Sequence, residues 1–309
     1  MKLKLGNRPI LADGGIETDL IYHHGIDLPE FAAFVLLEND AGRELLVRYW
    51  ESYVRLAVAA GVGLQLETPT WRANPDWGAR LGYDAADLER VSVAAVSLLR
   101  GIEQAHRGRV DPIVVAGAIG PRYESSADAM RFTVDDAREY HRPQIATLAR
   151  AGVDVVTALT LTAPSEAVGI VRAAREVEMA IVISFTVEVD GRLMDGTSLA
   201  DAIAEVDGAA PPDWYLINCA HTSHILRAVA GGGDWLERIC GVRPNASSLS
   251  HEQLDASEEL DEGDPELLAS ELVLLGERLP SLGLIGGCCG TDVRHIARFW
   301  NIDQQEVTR

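Results

Sequence analysis

The chain has 309 residues, 47% of them hydrophobic and 24% charged, with a formal net charge of −20 at pH 7. That length supports a large core, and a field of that sign disfavours nucleic acid and anionic membrane surfaces as partners. No apolar run reaches the roughly 18 residues of a membrane helix, and the first residues lack the apolar stretch of a signal peptide. The four cysteines and the missing export signal point to the cytoplasm. There, neighbouring cysteines bind metal or do chemistry more often than they form structural disulfides.

Strands are predicted at residues 9–15, 61–68, 113–120, 153–160, 180–187, 214–220, 238–246 and 282–290. Each run is almost wholly apolar, as strands covered on both faces should be. Helical spacing of apolar residues fills the intervals at 41–60, 84–106, 133–151, 164–178, 198–206, 224–230 and 264–279. Pro143 lies inside the third of these, where a kink or an earlier start is expected. The acidic stretch 256–266 reads as a solvated loop running into a helix, with Asp264 at the cap and Pro265 in the first turn. Eight strands alternating with helices make an α/β pattern, a (β/α)8 TIM barrel formed as a single domain over residues 1–309. A doubly wound open sheet is the competing architecture.

In a barrel, chemistry sits at the carboxyl ends of the strands. The first predicted strand ends in Asp13-Gly14-Gly15 with Glu17 beyond, the second in Glu67-Thr68-Pro69-Thr70-Trp71, and the fourth at Thr157 to Thr160. The sixth ends in Asn218-Cys219 and the eighth in Cys288-Cys289. Cys219, Cys288 and Cys289 therefore share one rim. Cys240 falls near the start of the seventh strand, where a small buried residue is the simpler reading.

Three readings of the rim cysteines compete: packing, redox chemistry and metal binding. A disulfide between neighbours is awkward, because a trans peptide holds the Cα atoms about 3.8 Å apart. Three thiolates suit zinc and leave one position open, as in catalytic sites. Residues 288 and 289 would point to opposite faces of a regular strand. Gly286, Gly287 and Gly290 are expected to supply the dihedrals that let both reach one ion. A zinc ion with three thiolates carries −1, which favours alkyl transfer to an added thiol over activation of water.

These residues resemble the homocysteine S-methyltransferase family. Asp13-Gly14-Gly15 with Glu17, Asn218-Cys219 and the run GGCCGT near the C-terminus carry the resemblance, which covers nearly the whole chain. It implies a (β/α)8 barrel with Zn2+ on Cys219, Cys288 and Cys289, and homocysteine thiolate attacking a methyl group on an onium donor. It implies an amino-acid pocket lined by the Asp13, Gly14 and Gly15 positions, with Thr68 and Thr70 bordering it. Backbone N–H groups at the Gly-Gly turn can approach a carboxylate closely, Thr160 follows in the fourth loop, and Asn218 is expected to fix the Cys219 loop.

One position departs from the family. Leu159 stands where members usually carry the Glu that binds the substrate ammonium. Glu17, Glu67 or Asp13 then takes over, or the acceptor is a different thiol. The chain ends soon after the eighth predicted strand, which favours a sulfonium donor, S-methylmethionine or S-adenosylmethionine. Trp71 and Trp77 are candidates to face its methyl-sulfonium group, with ordinary packing the competing reading. His221 is a candidate fourth zinc ligand beside His224, and His251 either reaches the rim or steadies a loop. His23 and His24 read as loop residues, and the stretch 120–128 reads as a substrate-covering loop.

The expectation is a zinc-dependent S-methyltransferase that converts homocysteine to methionine. Its partners are a small thiol acceptor and a small methyl donor, with no nucleic acid or membrane involved. The alternatives are the same chemistry on another onium donor or another thiol, and a non-catalytic barrel with structural zinc. Oligomeric state is not legible.

Overall fold

In the computed structural model, residues 8–122, 132–257 and 259–303 are described. Eight parallel strands close in chain order: β1 (Ile10–Leu11), β2 (Gly63–Glu67), β3 (Ile113–Ile119), β4 (Val155–Leu161), β5 (Ile181–Phe185), β6 (Trp214–Asn218), β7 (Ile239–Arg243) and β8 (Leu284–Ile285). β8 pairs back onto β1 through Ile10–Leu284 and Leu11–Ile285, which completes the barrel. The closed sheet decides against the open alternative. The first and last strands are shorter than predicted, two residues each, because the glycine-rich segments beyond them leave the pleat.

The long helices are α1 (Asp40–Ala60), α2 (Ala85–His106), α3 (Val134–Ala151), α4 (Pro164–Glu176), α5 (Leu199–Ala209), α6 (Thr222–Ala228), α7 (Pro265–Arg278) and α8 (Val293–Phe299). α1 shows why they form. Leu46, Tyr49, Trp50, Tyr53, Val54 and Ala57 recur at three- and four-residue spacing and are all buried. Asn39 caps its start by accepting from the Gly42 N–H, and Gly61 ends it in a left-handed conformation. α7 begins as read from sequence: Asp264 accepts from the Glu266 N–H at 2.9 Å and Pro265 follows.

Pro143 neither breaks α3 nor moves its start, which stays at Val134 behind the Thr133 cap. Turns absent from the sequence reading include the short helices Pro75–Arg80 and His251–Asp255 and a helical run over residues 16–23. Of the predicted covering loop at 120–128, residues 123–128 lie outside the described residues. Among the described residues, no helix is long and apolar enough to cross a membrane.

Candidate active site

The carboxyl ends of β1, β2, β4, β6, β7 and β8 surround one cavity of about 100 Å³. Asp13, Gly14, Gly15, Glu17, Glu67, Thr68, Thr160, Asn218, Cys219, Cys288 and Cys289 all line it. So do Arg243, Phe31, Trp71 and Leu159.

The three rim cysteines converge. Their sulfurs lie within 4.8 Å of one another, with Cys219 and Cys289 at 3.6 Å. Tetrahedral zinc with Zn–S bonds of about 2.3 Å spaces its sulfurs about 3.8 Å apart, so the donor set fits that ion. Three sulfurs in a cluster leave a fourth position to a ligand.

Backbone devices produce the convergence. Cys219 follows β6 with φ +56, a left-handed conformation rare for a residue with a side chain. His251 Nε2 lies 3.0 Å from its carbonyl oxygen, so this histidine reaches the rim and steadies a loop at once. Beyond β8 the chain is strapped to β1 and β7: the Gly287 N–H donates to the Asp13 carbonyl (2.8 Å) and the Cys288 N–H to the Pro244 carbonyl (2.8 Å). The Ala246 N–H donates to the Cys289 carbonyl (3.0 Å). The expected role of the glycines needs correction here. Among Gly286, Gly287 and Gly290, only Gly290 has positive φ, at +74. Gly287 is required by space instead, because a Cβ there would stand 2.0 Å from Thr291 Oγ1.

Neutral donors surround the sulfurs. Asn218 Nδ2 donates to Cys288 Sγ (3.7 Å) and to Thr160 Oγ1 (2.8 Å), and Asn245 Nδ2 donates to Cys219 Sγ (3.7 Å). Asn218 Oδ1 also accepts from the Thr160 N–H (2.8 Å) and from Ser184 Oγ (2.6 Å). Asn218 thus steadies Cys288 and the β4 loop, not the Cys219 loop as expected. Asn245 was not singled out in the sequence; the Pro-Asn pair that ends the seventh predicted strand was the available signal. Hydrogen bonding from Cys219 and Cys289, with Arg243 nearby, holds the Cys288 thiol well below its ordinary range. The hydrogen bond to Cys288, with burial, holds Cys219 well above its ordinary range, and the bonds to Cys219 and Cys288 do the same for Cys289.

A second cluster is ionic. Arg243, at the end of β7, donates from Nη2 to Asp13 Oδ1 and from Nη1 to Glu67 Oε2. All three side chains are nearly fully buried. Burial pushes the Asp13 carboxyl up against the opposing pull of Arg243. Burial also raises Glu17, to about 7, and no ion pair to Glu17 occurs among the described residues.

β4 explains how Leu159 and Thr160 both face the cavity. Ala158 pairs with Ile183 and Leu161 with Phe185, so two residues bulge opposite one. Thr160 takes φ +62 in the bulge. On β2, Thr68 Oγ1 accepts from the Ala118 N–H (2.9 Å), and Thr70 Oγ1 lies 2.6 Å from Thr68 Oγ1, so Thr70 supports Thr68 from outside the cavity. The Gly15 N–H already donates to the Thr291 carbonyl (2.9 Å) and does not serve a carboxylate.

Two candidate roles fall away, those of Trp77 and His221. Trp77 lies outside the cavity, its ring covered by the guanidinium groups of Arg72 at 3.7 Å and Arg80 at 4.2 Å. Trp71 does line the cavity. His221 is not among the clustered sulfur ligands; it caps α6, its Nδ1 2.9 Å from Ser223 Oγ, and faces a separate cavity with His224. Cys240 sits near the start of β7, its thiol pushed up to about 12 by burial.

The profile of the homocysteine S-methyltransferase family matches residues 10–301. The chain is 27% identical to a homocysteine S-methyltransferase of Escherichia coli over 306 residues, 93% of each protein. It is 27% identical over 305 residues to the homocysteine S-methyltransferase YbgG of Bacillus subtilis, covering 93% of this chain and 92% of that one. The metallated form of the homocysteine methyltransferase MmuM from Escherichia coli has the same fold, with a TM-score of 0.72 at 24% identity over 96% of both chains. Its oxidized form superposes with a TM-score of 0.70 at 26% identity over 94% of both.

Proposed function

The chain belongs to the homocysteine S-methyltransferase family, and from that premise we propose that it methylates the thiol of homocysteine from a sulfonium donor, with zinc held by Cys219, Cys288 and Cys289. The observation that carries this is the convergence of three sulfurs within 4.8 Å on the wall of one small cavity. Zinc bound there lowers the pKa of an added thiol and keeps its sulfur nucleophilic.

The chain's own residues supply the setting. Asn218 and Asn245 direct amide donors at Cys288 and Cys219 and so orient the ligands, a role that commonly tunes a metal site. The acceptor sulfur gains the methyl group as the donor's S–CH3 bond breaks. The donor leaves as a neutral thioether and the thiol proton is released. A cationic donor suits the cavity wall, which includes Trp71, Phe31 and Glu17, although Arg72 stands 4.2 Å over the Trp71 ring. These features support an onium donor as a class. Asp13, Gly14, Thr68 and Thr160 complete the pocket around the acceptor.

Zinc X-ray absorption before and after adding homocysteine tests the reading. The expected result is a change from three sulfurs and one light atom to four sulfurs. Three sulfurs with no response to homocysteine would make another thiol the acceptor. A protein that takes up no zinc would remove the reading altogether.

A further inference from the structure

Arg243 treats its two carboxylate partners unequally. Its Nη2 donates to Asp13 Oδ1 and, at longer range, to the carbonyls of Asp13 (3.4 Å) and Gly14 (3.5 Å). Its Nε donates to the Gly287 carbonyl at 3.0 Å. The remaining Asp13 oxygen, Oδ2, accepts from the Tyr49 hydroxyl at 3.3 Å, so both Asp13 oxygens are spent on the protein. Glu67 is different. Its Oε2 accepts from Arg243 Nη1, while its Oε1 is buried and has no hydrogen-bond partner among the described residues. Gln65, two residues earlier on β2, does not satisfy it, since the Gln65 Nε2 is itself without a partner. A buried carboxylate oxygen left unmatched is costly and calls for a donor.

We infer that Glu67 reads the ammonium group of the acceptor through Oε1, and that Arg243 is the positioning residue that holds Glu67 for it. The inference rests on the reading that homocysteine is the acceptor and adds how its amino group is recognised. An ammonium has donors and no acceptor, and Oε1 is an acceptor with no donor. Glu67 lines the same cavity as the three cysteines, and a turn of its carboxylate about the Arg243 contact would bring Oε1, which has almost no open surface, to the wall, so that one small molecule presents its thiol to the sulfurs and its ammonium to β2. On the β4 side the wall offers Leu159, which has no charge to give. The guanidinium, fixed by Asp13 and the Gly287 carbonyl, also anchors Glu67 through Oε2.

The test compares two thiols by isothermal titration of the zinc-loaded protein: homocysteine, and 4-mercaptobutanoate, which keeps the thiol and carboxylate but lacks the amine. The expected result is tighter binding of homocysteine by about ten- to a hundredfold. Glu67→Gln brings the ratio close to one by weakening homocysteine while sparing 4-mercaptobutanoate. Arg243→Lys, which keeps a cation but loses the fork, gives an intermediate ratio. Loss of packing alone would weaken both thiols together and leave the ratio where it was. Equal binding of the two thiols by the unmodified protein overturns the inference, with no variant required. So does a ratio that Glu67→Gln leaves unchanged. In both cases homocysteine still binds and the acceptor reading stands. Binding of neither thiol removes the acceptor reading, and the inference with it.

Discussion

Cys219, Cys288 and Cys289 are held by bent backbone and neutral amides, whereas Asp13, Glu67 and Arg243 hold one another. Both clusters border the same cavity; the ionic one is buried, and Cys288 and Cys289 of the sulfur cluster are half-buried. The sulfur cluster draws on a left-handed Cys219, a left-handed Gly290 and donors from Asn218 and Asn245. None of those supports is charged, although Arg243 stands near Cys288. The charged cluster is satisfied by its own members, by Tyr49 and by backbone carbonyls, except at one oxygen of Glu67. Damage to the first should therefore appear mainly in metal affinity, and damage to the second in folding.

The largest expected effect comes from breaking the ionic cluster. Arg243→Met leaves Asp13 and Glu67 buried without their counter-ion and should cost about 3–5 kcal/mol in urea unfolding. Cys219→Ala, by contrast, should cost about 1 kcal/mol while abolishing stoichiometric zinc. Similar stability losses in the two variants would erase the distinction. Next comes Gly290→Ala, which forces a left-handed alanine and sets its Cβ 2.6 Å from the Asp261 carbonyl oxygen. About 1–3 kcal/mol of stability should go, together with weaker zinc binding, because the same turn carries Cys289.

Asn245→Ala removes the donor to Cys219 and should lower zinc affinity about 10- to 100-fold in a chelator competition. An unchanged affinity would mean that the sulfurs do not depend on their neutral support. The smallest effect belongs to an exposed ionic cluster on the same rim. His23 sits 2.9 Å from Asp19, 2.7 Å from Glu262 and 3.8 Å from Asp292. Burial works against its charge, but the bonds to Asp19 and Glu262 outweigh this and raise its pKa. The stabilisation is therefore full below about pH 6.5 and is lost as pH rises through the higher folded-state value. The unfolding difference between the parent and His23→Gln should stay below about 1 kcal/mol and shrink from pH 6 to pH 9. A difference independent of pH would show that the imidazolium is not responsible.

The sulfur cluster was legible because cysteine is scarce here. Three of four cysteines fall at predicted strand ends, and two are adjacent. Arg243 was not legible, because it is one of 27 basic residues and nothing local marks a strand-terminal arginine as buried. Its partners lie 230 and 176 residues away, a relation that only barrel closure creates. The glycines were half legible. Their density marked a departure from the pleat, but sequence alone does not separate a left-handed turn from a close approach, and Gly287 proved to be the latter. The bulge at Leu159 and Thr160 escaped for a similar reason, since strand periodicity carries no sign of one extra residue. Strands β2 to β7 and helices α1 to α7 were the most legible parts, because each carries its own repeating apolar pattern.

β1 and β8 meet through only two residue pairs, while β2 and β3 share four. Beyond those pairs the joint is continued by Gly287 on the Asp13 carbonyl and by Arg243, which spans Gly287 and Asp13. The groups that shape the cavity are thus also the fastening of one of the barrel's short joints, matched at two pairs by β1–β2 and β7–β8. Opening of a native protein begins where the ladder is shortest. Amide protons around residues 10–14 and 284–288 should therefore exchange sooner than those of β2 to β6. A ligand that settles against Glu67 and Asp13 would slow that exchange at the joint and leave the far side of the barrel unchanged.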